Sequence, residues 1–334
     1  MAATKGGKIS WEELSRLIKY LPTNDVDLVI GPRLGEDAAV IRLKDGFLVV
    51  HSDPITTAFW RIGWYAVHVA ANDIAVRGVK PKYFLPVVLL PPRMETRDIE
   101  EIFRDMGEAA REVSGVVIGG HTELTPYLER PIISMTAIGY SAGRFVSTSG
   151  ARPGDYLVIV GRVGGEGASV VAWDFEEELA GRGVDRTLIS EAKNFLREIS
   201  VVKTALSIAP YVDSMHDATE GGVIQAIREV AVASGVNVNV DLDKIGVDVA
   251  VREISRAMGL DPLKLLSSGC IVAAVPPSKL DVLEETLRGL NQVYSVAGRV
   301  GDFTDKPVVE LREKGRVIGV VDRDVVDEIY KLFG

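Results

Sequence analysis

The chain has 334 residues, 47% of them hydrophobic and 25% charged, with a net charge of −9 at neutral pH. That length suggests two domains, each with its own core, and the composition is that of a soluble globular protein. The acidic balance and the lack of a Lys/Arg stripe argue against a nucleic-acid partner, and no apolar run is long enough to cross a bilayer, so no membrane association is expected.

The N-terminal "MAATKGGK" has no apolar stretch after its lysines and does not read as a secretory signal. Lys5 and Lys8 read as part of a tag-like arm. Residues 10–21 should form a helix, with Ser10 as N-cap and Glu13 completing a capping box. "DAAVIRL" and "FLVVHSD" read as strands. In "RIGWYAVHVAANDIAVRG", Val67, Ala70, Ala71 and Ile74 make one helical face, and Gly78 is a plausible stop. "VKPKYFLPVVLLPP" reads as extended. Residues 97–114 carry a second helical stripe, from Ile99 to Val113. "GVVIGG" and "PIISMTAIGY" read as strands.

"GARPGDYLVIVG" has the Pro/Gly punctuation of a domain boundary. A Gly-rich turn, "GGEG", and helices to about residue 208 follow. "YVDSMHDATEGGV" reads as a strand running into a helix, and "VNVNVDL" alternates like a half-buried strand. A helix near 247–258, a strand at 270–275, a helix at 278–288 and the strand "VYSVAGRV" come next. A hairpin in "VVELREKGRVIGVV" and a short final helix close the chain. Cys270 is the single cysteine, which rules out an internal disulfide and fits a reducing cytoplasm. Its apolar setting marks it as a small buried hydrophobe. The mixed, non-alternating order favours an α+β fold in two domains, 1–149 and 150–334. Neither a dinucleotide G-x-G-x-x-G nor a P-loop is present.

Acids and amides cluster where strands or helices end: Glu36 and Asp37 in "GEDAAV", Asp53 in "HSDP", Asn72 and Asp73 in "ANDIAVRG", His121 and Glu123 in "GGHTELT", and Asp217 and Glu220 in "HDATEGG". Hard cations such as Mg²⁺ take oxygen ligands, and carboxylates from several strand ends can converge on one sheet edge. Glycines in "GGHT" and "TEGG" would let backbone N–H groups approach phosphate oxygens. Taken singly, each acid is more readily a solvated turn residue than a ligand, because surface acids are the rule. Asp73 resists that explanation best, since it lies beside the apolar stripe of a helix poor in other acids.

In their set and order these clusters resemble the aminoimidazole ribonucleotide synthase (AIR synthase) superfamily, which includes thiamine-monophosphate kinase, selenophosphate synthetase and the hydrogenase-maturation dehydratase HypE. The similarity runs from about residue 8 to 301, through "GEDAAV", "SDP", "NDIAVRGVKPKYF", "GGHTELT", "GARPGDYL", "MHDATEGGV" and "SSGCIVAAVP". It implies an N-terminal domain whose strands form a barrel across a homodimer, and a C-terminal α+β sandwich beside it. It also implies ATP and Mg²⁺ as cofactors, with Asp37, Asp53 and Asp73 as metal ligands. Asp37, Asn72, Gly119, Gly120, Thr122, Gly221 and Gly222 would line the nucleotide, and His121, Asp217 and Glu220 would face the reacting groups. The shared chemistry is ATP-dependent activation of an acceptor by phosphoryl transfer to oxygen, largely through positioning and charge neutralisation.

The nearest likeness is to HypE-like proteins. Two departures stand out. HypE proteins end in a cysteine-bearing tail, whereas this sequence ends "EIYKLFG", so a tail-borne carboxamide is not expected. Histidine also stands at position 121, where HypE and the thiamine kinases often carry an acid. The expectation is therefore an ATP-dependent enzyme with an unidentified small-molecule or protein-borne acceptor. The alternatives are a non-catalytic ATP-binding maturation partner or a phosphotransferase like thiamine-monophosphate kinase.

Overall fold

The computed structural model describes residues 9–56 and 61–332, so Lys5 and Lys8 lie outside the described residues. The chain divides into two compact units. The smaller takes Asp25–Gly31 and Asp37–Phe145; the larger takes Met1–Asn24, Pro32–Glu36 and Val146–Gly334.

Helix α1 (Trp11–Ile18) belongs to the larger unit and starts as expected, with the Ser10 hydroxyl accepting the Glu13 N–H. The smaller unit then runs β1 (Leu28–Ile30), β2 (Ala39–Leu43), β3 (Gly46–Ile55), α2 (Ile62–Ala75), β4 (Pro81–Leu90), α3 (Thr96–Glu112), β5 (Val116–Val117), β6 (His121–Leu124) and β7 (Ile132–Ser141). Its sheet has the order β1-β2-β3-β7-β4-β5, with β6 also on β4. Helix α2 lies against β3 and β7 on one side and α3 on the other. A Cβ at Gly63 would sit 2.2 Å from the Ile102 carbonyl oxygen, and only glycine permits that approach of the two helices. As a result every residue of α2 is buried, Asn72 and Asp73 included. The single apolar face expected from the sequence is thus too narrow a description. The helix is sandwiched, and a sandwiched helix is enclosed all round.

"GVVIGG" yields only the two-residue β5, and "HTEL" forms its own strand. Phe84 pairs with Val117 but Val87 pairs with His121, so one extra residue is inserted between them. Pro86 stands opposite this bulge. With no N–H to offer, it breaks the ladder there.

The larger unit continues with β8 (Tyr156–Val160), α4 (Gly165–Asp174), α5 (Glu176–Gly181), α6 (Arg186–Lys193), α7 (Val202–Ile208), β9 (Ser214–Ala218), α8 (Gly222–Ser234) and β10 (Val236–Asp241). Then come α9 (Val249–Met258), β11 (Cys270–Val275), α10 (Leu280–Gly289), β12 (Tyr294–Phe303), β13 (Val309–Glu313) and β14 (Arg316–Val321). The sheet order is β14-β13-β10-β12-β8-β11-β9. One core lies between this sheet and α8, and a second gathers α4, α5, α6 and α9. The α+β expectation holds in both units.

Two local expectations change. "GGEG" is the start of α4 rather than a turn. A Cβ at Gly167 would meet the Leu265 side chain at 2.3 Å, so contact with a distant loop overrides the weak helix propensity of glycine. The final helix is a 3₁₀ segment, Glu328–Leu332.

Candidate functional site

In the smaller unit the acids assemble around β3 and α2. Along β3, Val49, His51 and Asp53 alternate with residues of the opposite face. Val49 is fully buried, and α2 packs on this strand. His51 lies 3.5 Å from the Asp73 carboxylate, so Asp53 shares a sheet face with the residue that meets Asp73. One helical turn beyond Asp73, Arg77 donates to Asp37 at 2.9 Å. Asp37 stands two residues before β2, whose Ala39 pairs with Val50 of β3. The structure thus pairs Asp73 with His51 and Asp37 with Arg77, and sets Asp53 on the His51 face of β3, two residues further along. Asp73 is 8% exposed and Arg77 fully enclosed.

The adjacent acids of "GEDAAV" have different tasks. Glu36 accepts the Ser147 hydroxyl at 2.6 Å and the N–H groups of Thr148 and Ser149 at 3.2 Å each. It is a structural clasp within the larger unit. Asp37 is the member that joins the acid patch.

His121 stands elsewhere. Its row across the sheet is Pro54, Ser134, Val87, His121, so β6 is separated from β3 by about 14 Å at three strand spacings. That row alternates with Asp53, and His121 faces the other side of the sheet. Its Nε2 lies 3.1 Å from Glu123, whose carboxyl is held below its ordinary value by hydrogen bonds from His121 and Thr125. Gly119, Gly120 and Thr122 are exposed beside it. A Cβ at Gly120 would fall 2.3 Å from the Pro86 carbonyl oxygen, so this glycine is required by the bulge itself.

In the larger unit, buried Asp217 stands one residue before the end of β9, and the chain turns through Thr219 and Glu220 into α8. Gly221 and Gly222 have φ of 78° and 63°, the left-handed region open to glycine. Cβ atoms here would meet the Val325 carbonyl oxygen at 2.8 Å and the Leu263 carbonyl oxygen at 2.5 Å. The Gly221 N–H donates to Asp327 at 2.7 Å, and Glu220 accepts the Tyr330 hydroxyl at 3.0 Å. Next to Asp217, His216 lies 2.7 Å from Glu229 of α8.

A cavity of about 290 Å³ in this unit is lined by Arg162, Glu166, Phe195, Glu198 and Ser268, among others. Arg162 is already engaged there. Two of its nitrogens bond Glu198, a third bonds Asp248, and the guanidinium lies 4.1 Å from the Phe195 ring centre. It is not poised for a phosphate. Cys270 is enclosed, and burial raises its thiol pKa well above the ordinary value, which suits packing and not nucleophilic attack.

Sequence reasoning passed over His51, Arg77, His216 and Asp327. Arg77 had a signal: a lone cation four residues beyond Asp73 on an apolar helix faces the same way. Asp327 had none, since the tail around it has no period.

The sequence profile of the AIR synthase related protein N-terminal domain matches residues 35–141, and that of the C-terminal domain matches residues 152–311. Carbamoyl dehydratase HypE of Cupriavidus necator is 27% identical over 305 residues, covering 87% of this chain and 83% of that one. Thiamine-monophosphate kinase of Pyrococcus horikoshii is 27% identical over 283 residues, covering 80% and 82%. A crystal structure of the hydrogenase maturation protein HypE in complex with ATP superposes with a TM-score of 0.67 at 22% identity, covering 97% of each chain. That likeness establishes a shared fold.

Proposed function

The chain belongs to the AIR synthase related family, and from that premise we propose that it is a Mg-ATP-dependent enzyme that activates an acceptor by phosphoryl transfer to oxygen. What supports this reading is the Asp37–Arg77 pair, the His51–Asp73 contact and the place of Asp53 on the His51 face of β3; we take the three carboxylates to act together on a cation. Three carboxylates offer the hard oxygen donors that Mg²⁺ prefers. Enclosure of Asp73 lowers the local dielectric and strengthens its hold on a cation. Bound Mg²⁺ would neutralise triphosphate charge. The protein's own part is to orient: Arg77 fixes Asp37, and His51 fixes Asp73. Asp217 and Glu220, at the end of β9, are assigned to the acceptor side. The relatives that carry out carbamoyl dehydration and thiamine-monophosphate phosphorylation support ATP-dependent activation as the common step.

We also propose a homodimer. The face of the smaller unit's sheet opposite α2 presents Tyr83, Val87 and Tyr140 at 43%, 39% and 48% exposure. An apolar sheet face of this kind is suited to burial against a second copy. His121 shares this face through its pairing with Val87, which assigns it to the interface side and not to the acid patch.

Calorimetry with Mg-ATP tests the nucleotide reading. The wild type should give a binding isotherm, and Asp73→Ala should abolish it while keeping a cooperative melt. No heat from the wild type, or undiminished heat from the variant, would refute the assignment.

A further inference from the structure

The C-terminal segment from Val325 to Leu332 lies across the glycine turn that leads from β9 into α8. Its contacts there are specific. Asp327 is 3% exposed. One of its carboxylate oxygens accepts the Gly221 N–H at 2.7 Å, and the other accepts the Ile329 N–H at 2.8 Å. On either side, the Val325 N–H donates to Gln225 at 2.8 Å, and the Tyr330 hydroxyl donates to Glu220 at 3.0 Å. The Val325 carbonyl oxygen occupies the space that any side chain at position 221 would need.

Successive left-handed glycines hold their shape only when their amides have partners, and such a turn forms a concavity for an anion. Here the anion is supplied by the chain itself, from residues far along the sequence. The turn also meets the loop preceding β11, where the Ser267 N–H and the Thr219 oxygen approach at 3.4 Å. One side chain thereby ties the C-terminal segment to the turn that follows Asp217 and Glu220.

We propose that Asp327 is a positioning residue, whose carboxylate sets the Gly221–Gly222 turn and through it the placement of Asp217 and Glu220. The assignment rests on the phosphoryl-transfer reading for its functional consequence, but not for its structural one. Burial, with a smaller push from the Glu166 charge, raises the Asp327 pKa to about 6 against the lowering effect of the N–H bonds from Ile329 and Gly221. Asparagine at this position keeps the size and loses one acceptor, so the turn should loosen without unfolding the unit. Glu328 is the internal control: it ties the same segment to the Asp261 N–H at 3.1 Å and does not touch the glycine turn.

The experiment compares full-length wild type, Asp327→Asn, Asp327→Ala and Glu328→Gln by amide hydrogen exchange and by Mg-ATP turnover. In both Asp327 variants the amides of residues 219–222 should exchange about tenfold faster or more. Their kcat should fall by about tenfold, with KM for ATP changed less than about threefold. Glu328→Gln should keep wild-type exchange at 219–222 and wild-type kcat. Unchanged exchange in Asp327→Asn would overturn the proposal, as would faster exchange with an intact kcat or an equal kcat loss in Glu328→Gln. If the wild type itself neither binds nor turns over Mg-ATP, the phosphoryl-transfer reading falls, and the exchange data still decide whether Asp327 holds the turn.

Discussion

The carboxylate of Asp37 lies 2.9 Å from the guanidinium of Arg77, and that guanidinium has no contact with solvent. Taking one partner away from such a pair leaves a charge in a poor solvent. Arg77→Met should therefore lower unfolding free energy by about 3–5 kcal/mol in urea titrations. The double variant Asp37→Asn/Arg77→Met should recover most of that loss, because no isolated charge remains. Near-equal stability of the single variant and wild type would mean that the pair is not buried as described.

Two left-handed glycines should respond differently to alanine. At Gly222 the new methyl would be 2.5 Å from one carbonyl oxygen and 2.8 Å from another, so strain and clash combine. Gly222→Ala should cost about 2 kcal/mol or more. Gly259 has a similar φ of 69° and nothing within reach of a methyl. Gly259→Ala should cost only about 1 kcal/mol. Thermal melts of the two variants provide the comparison.

Asp327 predicts a pH dependence of stability. Its carboxyl is raised by burial to about 6, against 3.8 ordinarily. Between those values the folded state binds more protons than the unfolded state, so this group favours folding most at low pH and loses that contribution as pH rises through about 6. Asparagine does not titrate. The stability difference between Asp327→Asn and wild type should move in the variant's favour by about 2–3 kcal/mol from about pH 4 to about pH 7.5. A constant difference would contradict the raised pKa. The wild type in effect gives up stability at neutral pH to keep a charged clasp on the glycine turn.

The exposed sheet face carries the homodimer proposal. Val87→Glu places a charge in the middle of it and should convert a dimer to a monomer in sedimentation or light scattering, with little change in the melt of the isolated chain. A wild type that is monomeric at high concentration would remove the basis for this prediction.

Much of the fold was legible because period carried it. "VNVNVDL" alternates and is β10, and the 97–114 stripe is α3. Ser10 caps α1 through the spacing that suggested it. The departures have one cause, contact with residues remote in sequence. Leu265 makes a helix of "GGEG", the bulge opposite Pro86 cuts the expected "GVVIGG" strand to two residues, and α3 closes the open side of α2. For the site, Asp37, Asp53 and Asp73 were visible as acids at strand and helix ends. Their linkage through Arg77 and His51 was not visible, because it depends on how a helix is turned over a strand. Asp327 lay beyond reach altogether, since only the folded chain shows the tail returning to α8.

Helix α2 is enclosed along its whole length, yet it carries Asn72 and Asp73, with Arg77 two residues past its end. If the proposed cation site is right, recognition and foldability are written in the same fourteen residues. Natural variants of this segment would be filtered twice, first by whether the chain survives in the cell and only then by what it does. Drift there should be slow even in a lineage that has abandoned the original chemistry.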